Sequence, residues 1–342
     1  MENSQKKVVR TDRELHCPVI DAELQRRGSR LVLLPDGVSE TELAREVRDA
    51  DLLLTCYTPV TSGVIEQADK LLGIVKYGVG IDAIDIDAAR AFRIPVVNVP
   101  EYAEETVAEG AFTLILALAK RLIPIDREMH ASGWLWPSPA WLGSDIAEKT
   151  VGLVGVGRIG RSLARMAGAG FRARVVGYDP DVPVERMRAA GVEKYDDLRD
   201  MLGRCDFVSV HCVLNSRTRH LIGKEEIGAM KRTAFLINVS RGAIVDEEAM
   251  VQALNAGSMA GAGLDVYARE PLKLTGHPLA ELFDMPNVIL LPHLTFYTHE
   301  AMARLEQETL ERCTEILEGR PVLVKSADPR LRAQTRGVTF GA

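Results

Sequence analysis

With 342 residues, 46% of them apolar and 26% charged, the chain has a globular composition and is long enough for two hydrophobic cores. A net charge of −6 and a pI near 5.8 speak against nucleic acid or an acidic membrane as the main partner. The five cysteines are scattered without a C-x-x-C, which fits reduced thiols better than a disulfide framework or zinc site, and a cytoplasmic protein is expected.

Val8 to Thr11 reads as a first strand, Asp21 to Arg27 as a short helix ended by Gly28, and Arg30 to Leu34 as a second strand. Ser39 to Asp49 is a predicted helix, with Ser39 as N-cap and Glu42 three positions on, as in a capping box. Asp51 to Cys56, Gly73 to Tyr77 and Pro95 to Val99 are further apolar strands, with Ser62 to Asp69 helical between the first two. Asp82, Asp85 and Asp87 have the look of a calcium loop but lack its glycine and closing glutamate, so Asp85 is read as a helix N-cap. Strands alternating with helices predict a parallel, doubly wound α/β unit in the first hundred residues.

Thr106 to Leu122 follows as a long apolar helix, in which the run Ala111 to Ala119 is too short to span a bilayer. No secretory leader is legible at the polar N-terminus. The irregular stretch Ser132 to Gly143 holds Trp134, Trp136 and Trp141, which are more simply an arm buried between two subunits than a ligand platform.

A second α/β unit opens at Val151 to Val154. Gly155, Gly157 and Gly160 follow as G-x-G-x-x-G, Ser162 to Ala169 is helical, and the strand Arg174 to Tyr178 ends on Asp179, 19 residues after Gly160. In that frame the first glycine turns the chain tightly, the second lets the backbone approach a pyrophosphate, and the third packs helix on strand. The anion sits at the helix N-terminus, where Arg158 can reach it, although a solvated arginine explains that position equally well. Asp179 is placed for the ribose hydroxyls and would repel a 2′-phosphate, so the cofactor is read as NAD rather than NADP.

The remaining strands of this unit are Asp206–Val210, Ala234–Asn238, Gly261–Val266 and Val288–Leu291, and an amphipathic helix runs from Glu300 to Leu317. His211-Cys212, without a second cluster, reads as a strand end near the adenine rather than a metal site. Because a complete α/β unit precedes the nucleotide signature and a helix follows it, the first domain is predicted to be discontinuous. Residues 1–100 and 297–330 would form it, 101–296 would be the inserted nucleotide domain, and 331–342 a disordered tail.

Three stretches sit at strand ends of the second unit, where open α/β sheets bind ligands. They are INVSRGAIVDEEAM with Arg241, GLDVYAREP with Asp265 and Glu270, and LLPHLTFYTHEA with His293. Singly, each residue is better explained as a surface cation, a loop acid or a turn histidine. Together they place an arginine, an acid and a histidine beside a dinucleotide.

With the glycine loop, SRG, Glu270 and PH in this order, the chain resembles the D-isomer-specific 2-hydroxyacid dehydrogenases over residues 8 to 325. KYGVGIDAID, SGWLW and PHLTFYT are most similar to the branch holding the C-terminal-binding co-repressor proteins and related bacterial dehydrogenases. The resemblance implies a Rossmann-type nucleotide domain inserted into a flavodoxin-like substrate domain, and a homodimer built around the tryptophan arm. It further implies that Val107, Ile159, Val213, Thr218, Val239, Ser240 and Asp265 line the cofactor, with Asp265 on the nicotinamide carboxamide.

Reduction of a 2-keto acid needs a hydride at the carbonyl carbon and a proton at its oxygen. His293 is the expected acid and base, with Glu270 on its other ring nitrogen fixing the tautomer. Arg241 offers two parallel donors that polarise the carbonyl and hold the carboxylate. The loop Tyr77-Gly78-Val79-Gly80 is expected to add backbone N–H groups as an anion nest, and Phe296 to shape a pocket for an uncharged substituent. A phosphoglycerate-type enzyme is less expected, because no regulatory domain follows the last helix. The rival readings are an NAD-sensing scaffold of the co-repressor kind, and the same chemistry on a sugar-acid or phosphite-like substrate.

Overall fold

A computed structural model describes residues 5–341 of the chain; residues 1–4 and Ala342, the last residue of the tail predicted to be disordered, lie outside them. The chain divides into two compact units, one taking in residues up to Ala103 and from Thr298 onward, the other Glu104–Tyr297.

In the first unit β1 (Lys7–Arg10), β2 (Arg30–Leu33), β3 (Leu52–Thr55), β4 (Gly73–Lys76) and β5 (Val96–Asn98) form one sheet in the order β2-β1-β3-β4-β5. Every pair is parallel, and the order is the flavodoxin-like winding. β1, β3, β4 and β5 are buried along their whole length, as strands covered on both faces must be. Ser39 accepts from the Glu42 N–H at 3.2 Å and Asp85 from the Ala88 N–H at 2.9 Å, so both expected N-caps are present.

The helix His299–Leu317 buries Leu305, Cys313 and Ile316 against this sheet. Gly73 allows the approach, since a Cβ there would stand 2.8 Å from Ile316 Cδ1. Glu306 on the same helix is 7% exposed and accepts from the N–H groups of Val19 and Ile20 at 2.8 and 3.4 Å. The helix Pro18–Arg26 has no side-chain cap of its own, so a carboxylate from the far end of the sequence supplies one, a contact worth about 1 kcal/mol.

In the second unit β6 (Thr150–Val154), β7 (Arg174–Tyr178), β8 (Glu193–Lys194), β9 (Phe207–Val210), β10 (Phe235–Asn238), β11 (Gly261–Leu264) and β12 (Val288–Leu290) are ordered β12-β11-β10-β9-β6-β7-β8, again all parallel. The order reverses between β6 and β9, and the crevice at that switch point is where such a sheet binds ligands. The two doubly wound parallel sheets are those expected.

Several boundaries differ from expectation. The long apolar helix is Glu104–Ala119, broken at Arg121 (φ +52°) and followed by a second helix, Leu122–Ser132. The helix after the glycine loop begins at Arg158 rather than Ser162 and closes in a π turn at Met166–Gly170. The tail is not disordered through Gly341. β13 (Val322–Val324) pairs in parallel with β14 (Val338–Phe340), and the Gln334 amide accepts from Val96 N–H at 2.7 Å and donates to Val96 O at 2.9 Å. One side chain thereby covers the edge of β5 as a strand residue would. Among the described residues no helix is long and apolar enough to cross a membrane.

Candidate active site

The three glycines of the loop after β6 have three different surroundings. Gly155 has φ +97°, and a Cβ on it would lie 2.5 Å from Cys212 N. A Cβ on Gly160 would lie 2.5 Å from Gly155 O, so the helix can close on the turn only without one. Gly157, the N-cap of the helix Arg158–Arg165, has nothing within 4 Å of its Cβ position. The space before the helix N-terminus is open, and that cradle fits a pyrophosphate.

Asp179, at the end of β7, accepts from Val156 N–H at 2.9 Å and Asp181 N–H at 3.1 Å. It fixes the glycine loop to the β7 end. Arg158 departs from expectation, because its Nε stands 2.5 Å from Glu104 Oε1 and the guanidinium already has an anion. Next to it Glu105 accepts from Ser162 Oγ at 2.7 Å and Arg165 Nη2 at 2.6 Å. The first turn of Glu104–Ala119 is thus pinned to the helix that follows the glycine loop.

His211, just past β9, places Nε2 2.8 Å from Ser209 Oγ, while Nδ1 is buried without a partner in the structure. Burial pushes its pKa down to about 4, so at neutral pH it is an uncharged wall of the crevice. Burial pushes the Cys212 thiol up to about 12, which keeps it protonated. Ser240 Oγ donates to Cys212 O at 2.5 Å and Thr218 Oγ1 to Val213 O at 2.6 Å. Val213 is 67% exposed and Val239 only 7%, while Val107 and Ile159 are half-buried.

Arg241 leaves the end of β10 on a turn closed by a residue the sequence reading missed. Asn238, 1% exposed, donates from Nδ2 to Arg241 O at 3.0 Å and accepts the Ser240 N–H at 3.1 Å. An asparagine bonding its own backbone two and three residues on is a turn signal, and that was the available hint. Arg241 Nη1 also donates to Ser240 O at 2.8 Å.

Glu270 accepts from Tyr267 N–H at 3.0 Å, and its Oε2 stands 2.9 Å from His293 Nδ1. Burial pushes the Glu270 carboxyl up, but His293, the Tyr267 N–H and the Arg241 charge together hold it below the ordinary glutamate range. It is therefore a carboxylate, which can only accept, so Nδ1 carries a hydrogen and Nε2 is the nitrogen left to exchange a proton.

His293 has φ +59°, an unusual left-handed conformation for a histidine. Asp265 holds the segment beyond it, accepting from Leu294 N–H at 2.8 Å, Thr295 N–H at 3.1 Å and Thr295 Oγ1 at 2.5 Å. Asp265 was expected against the nicotinamide. It is 0% exposed, and its work in this structure is to anchor the His293 loop. Phe296 is likewise 7% exposed and stands edge-on to His293 at 6.4 Å. It backs the imidazole rather than lining a pocket, whereas Leu294 and Tyr297 are 45% and 42% exposed.

In the first unit, the loop after β4 keeps only part of its predicted role. Tyr77 is fully buried, its N–H donates to Thr55 O at 3.1 Å and its hydroxyl to Thr11 O at 2.5 Å. Gly78 donates its N–H to Lys76 O at 3.0 Å. Neither amide is open to an anion, which corrects the four-residue nest to Val79 and Gly80 at most. Among the described residues no three of His, Cys, Asp and Glu are grouped to hold a metal.

Residues 112–295 match the family described as D-isomer specific 2-hydroxyacid dehydrogenase, NAD binding domain. The chain is 39% identical over 276 residues to a glyoxylate reductase of Korarchaeum cryptofilum, covering 80% of this chain and 81% of that one. It is 37% identical to a D-3-phosphoglycerate dehydrogenase of Methanocaldococcus jannaschii, over 83% of this chain but 53% of the longer relative. Among solved structures it is similar to a D-lactate dehydrogenase of Aquifex aeolicus complexed with NAD and lactic acid. There the TM-score is 0.81 at 29% identity, over 91% of this chain and 96% of that one.

Proposed function

The chain belongs to the D-isomer-specific 2-hydroxyacid dehydrogenases, NAD-dependent enzymes that interconvert a 2-keto acid and its D-2-hydroxy acid, and we propose that Arg241, Glu270 and His293 carry the reaction here. The observation that carries this reading is the 2.9 Å pair of His293 Nδ1 with the Glu270 carboxylate, at the end of the sheet that holds the open glycine cradle. We assign the nucleotide to the inserted unit and the discontinuous unit to the substrate side.

Bound NAD supplies the hydride chemistry. Gly155, Gly157 and Gly160 form its cradle, Asp179 faces the ribose end, and His211, Val213, Thr218, Val239 and Ser240 border the crevice. Arg241 binds the substrate carboxylate and draws electron density from the carbonyl with the same guanidinium. His293 Nε2 gives its hydrogen to the carbonyl oxygen as the hydroxy acid forms, and takes it back in the reverse direction. Glu270 holds Nδ1–H throughout and balances the charge of the imidazolium. Asn238 and Asp265 keep the arginine turn and the histidine loop in register. Val79 and Gly80 are our candidates for anion binding in the first unit.

Leu294 and Tyr297 present apolar surface beside His293, so we propose a small 2-keto acid with no charged substituent, with glyoxylate, the substrate named for the Korarchaeum relative, heading the candidates. A sensing scaffold would need the cradle but not a histidine held by a carboxylate, so the enzymatic reading is preferred. The reading is tested by following NADH and NADPH oxidation against glyoxylate, hydroxypyruvate, pyruvate, branched and aromatic 2-keto acids and 2-ketogluconate. Turnover with NADH at least about tenfold above NADPH is expected, a difference of 1.4 kcal/mol set by Asp179. NADH binding without turnover on any of them would sink it.

We further propose that a second copy of the chain covers the segment after the broken helix. Trp134, Trp136 and Leu142 are 65%, 79% and 74% exposed, and Leu122 is 57% exposed. Apolar side chains this large and this close in sequence mark an association surface. Light scattering is expected to give twice the chain mass, and a Trp136→Glu variant to lower it. The five cysteines, all among the described residues, form no disulfide and four of them are buried, which favours the reducing cytoplasm.

A further inference from the structure

The loop Tyr267–Glu270 carries one member of the catalytic pair, and two side chains from outside it hold its backbone. His277 Nε2 lies 3.0 Å from Arg269 O, and its Nδ1 accepts the Leu279 N–H at 3.1 Å. With Nδ1 accepting, His277 is the neutral tautomer donating through Nε2. Glu247 Oε1 accepts the Ala268 N–H at 2.7 Å. Glu247 is the first residue of the helix Glu247–Asn255, whose own N-terminus is capped by Asp246 through the Ala249 N–H at 3.1 Å. Its carboxylate is thus not needed by its own helix and reaches across to the catalytic loop.

We propose that Glu247 is a positioning residue for the dehydrogenase site: it fixes the loop that carries Glu270 and supplies a second negative charge behind the Glu270–His293 pair. The groups that face Glu247 are Glu270, His277 and His220, and the Arg241 charge also acts on Glu270. Burial pushes the Glu247 carboxyl up and Glu270 adds to it, while the Ala268 N–H opposes this. A negative Glu247 makes a proton on the Glu270–His293 pair easier to keep, and keto-acid reduction needs that proton. The inference rests on the assignment of Glu270 and His293 above.

The test compares Glu247→Gln, Glu247→Ala and Glu270→Gln by the pH dependence of kcat/KM for keto-acid reduction, with NADH affinity measured on each. Gln keeps the size and an oxygen for the Ala268 N–H but removes the charge. Glu247→Gln is expected to keep NADH affinity and the low-pH plateau, and to move the limb of the pair about half to one pH unit lower. Above the limb its rate then falls about three- to tenfold. Glu247→Ala is expected to lose plateau rate as well. A Glu247→Gln profile that superimposes on the wild type overturns the proposal, and so does equal impairment of Gln and Ala with an unmoved limb. Should Gln fail to fold, Glu247→Asp keeps the charge, so an unmoved limb with a lower plateau is expected and a moved limb overturns the proposal. If Glu270→Gln leaves both rate and limb unchanged, the assignment of the pair has failed instead.

Discussion

Replacing His293 by alanine is expected to lower kcat for keto-acid reduction by about 10²–10⁴-fold while NADH binds as before, because the general acid is lost and the glycine cradle is untouched. Arg241→Ala is expected to raise KM for the keto acid and lower kcat together, since one guanidinium both binds and polarises the substrate. NADH fluorescence titration separates binding from turnover, and single-turnover rates locate the lost step. His293→Ala also carries a stability consequence. Glu270 is held below its ordinary range largely by His293, against burial. A carboxylate depressed in the folded state stabilises the fold above its unfolded pKa, and loses that contribution as pH falls through the folded value. Without His293 the same buried Glu270 has burial opposed only by the Tyr267 N–H and Arg241. The variant is therefore expected to begin acid unfolding at higher pH than the wild type, and a second change, Glu270→Gln, to reverse that shift without restoring turnover. A His293→Ala protein that turns over normally would remove the histidine from the mechanism.

How much of this was legible in the sequence depended on whether a residue's partner was local. Gly155, Gly157 and Gly160 announce their turn because the spacing itself encodes strand, turn and helix, and the structure shows a left-handed turn at Gly155, a close approach to that turn at Gly160 and open space at Gly157. Arg241, Glu270 and His293 were legible as residue types at strand ends, and the fold brings Glu270 and His293 within hydrogen-bond distance across 23 residues of sequence. Glu247 was not legible, because its partner is a backbone N–H 21 residues on, and a glutamate in a first helical turn is already explained as a dipole contact. Asp265 and Phe296 were placed near the right loop but given ligand-facing roles, since nothing in sequence separates an acid that meets a cofactor from one that anchors backbone. The break at Arg121 was marked only by Pro124, which cannot continue the first helix's hydrogen bonding but fits the first turn of the second, and that signal went unread. The tail misled for a related reason: its arginines suggested solvent, while the group that orders it is Gln334 on β5, 238 residues away.

Gly242→Ala is expected to be the most damaging single methyl in the second unit. Gly242 follows Arg241 in the same turn, and a Cβ on it would lie 1.9 Å from Tyr267 C and 2.0 Å from Ala268 N. These are backbone atoms of the loop that carries Glu270, so no side-chain tip can swing aside. One of the two segments must move, and each holds a member of the reactive constellation. Overpacking of this kind costs about 1–3 kcal/mol, and a displacement near 1 Å at the reacting groups costs about 10²-fold in rate. The expected result is a kcat/KM lower by about that factor, a reduced melting temperature, and NADH binding largely retained, because the loop after β6 is not involved. Gly228→Ala is the control, since nothing lies within 4 Å of its Cβ position inside the helix Lys224–Ala229. A methyl there is expected to leave activity unchanged and to stabilise slightly by restricting the unfolded chain. Equal activity in the two variants would mean that the turn and the loop are not mechanically joined, and that Arg241 and Glu270 are set in place independently.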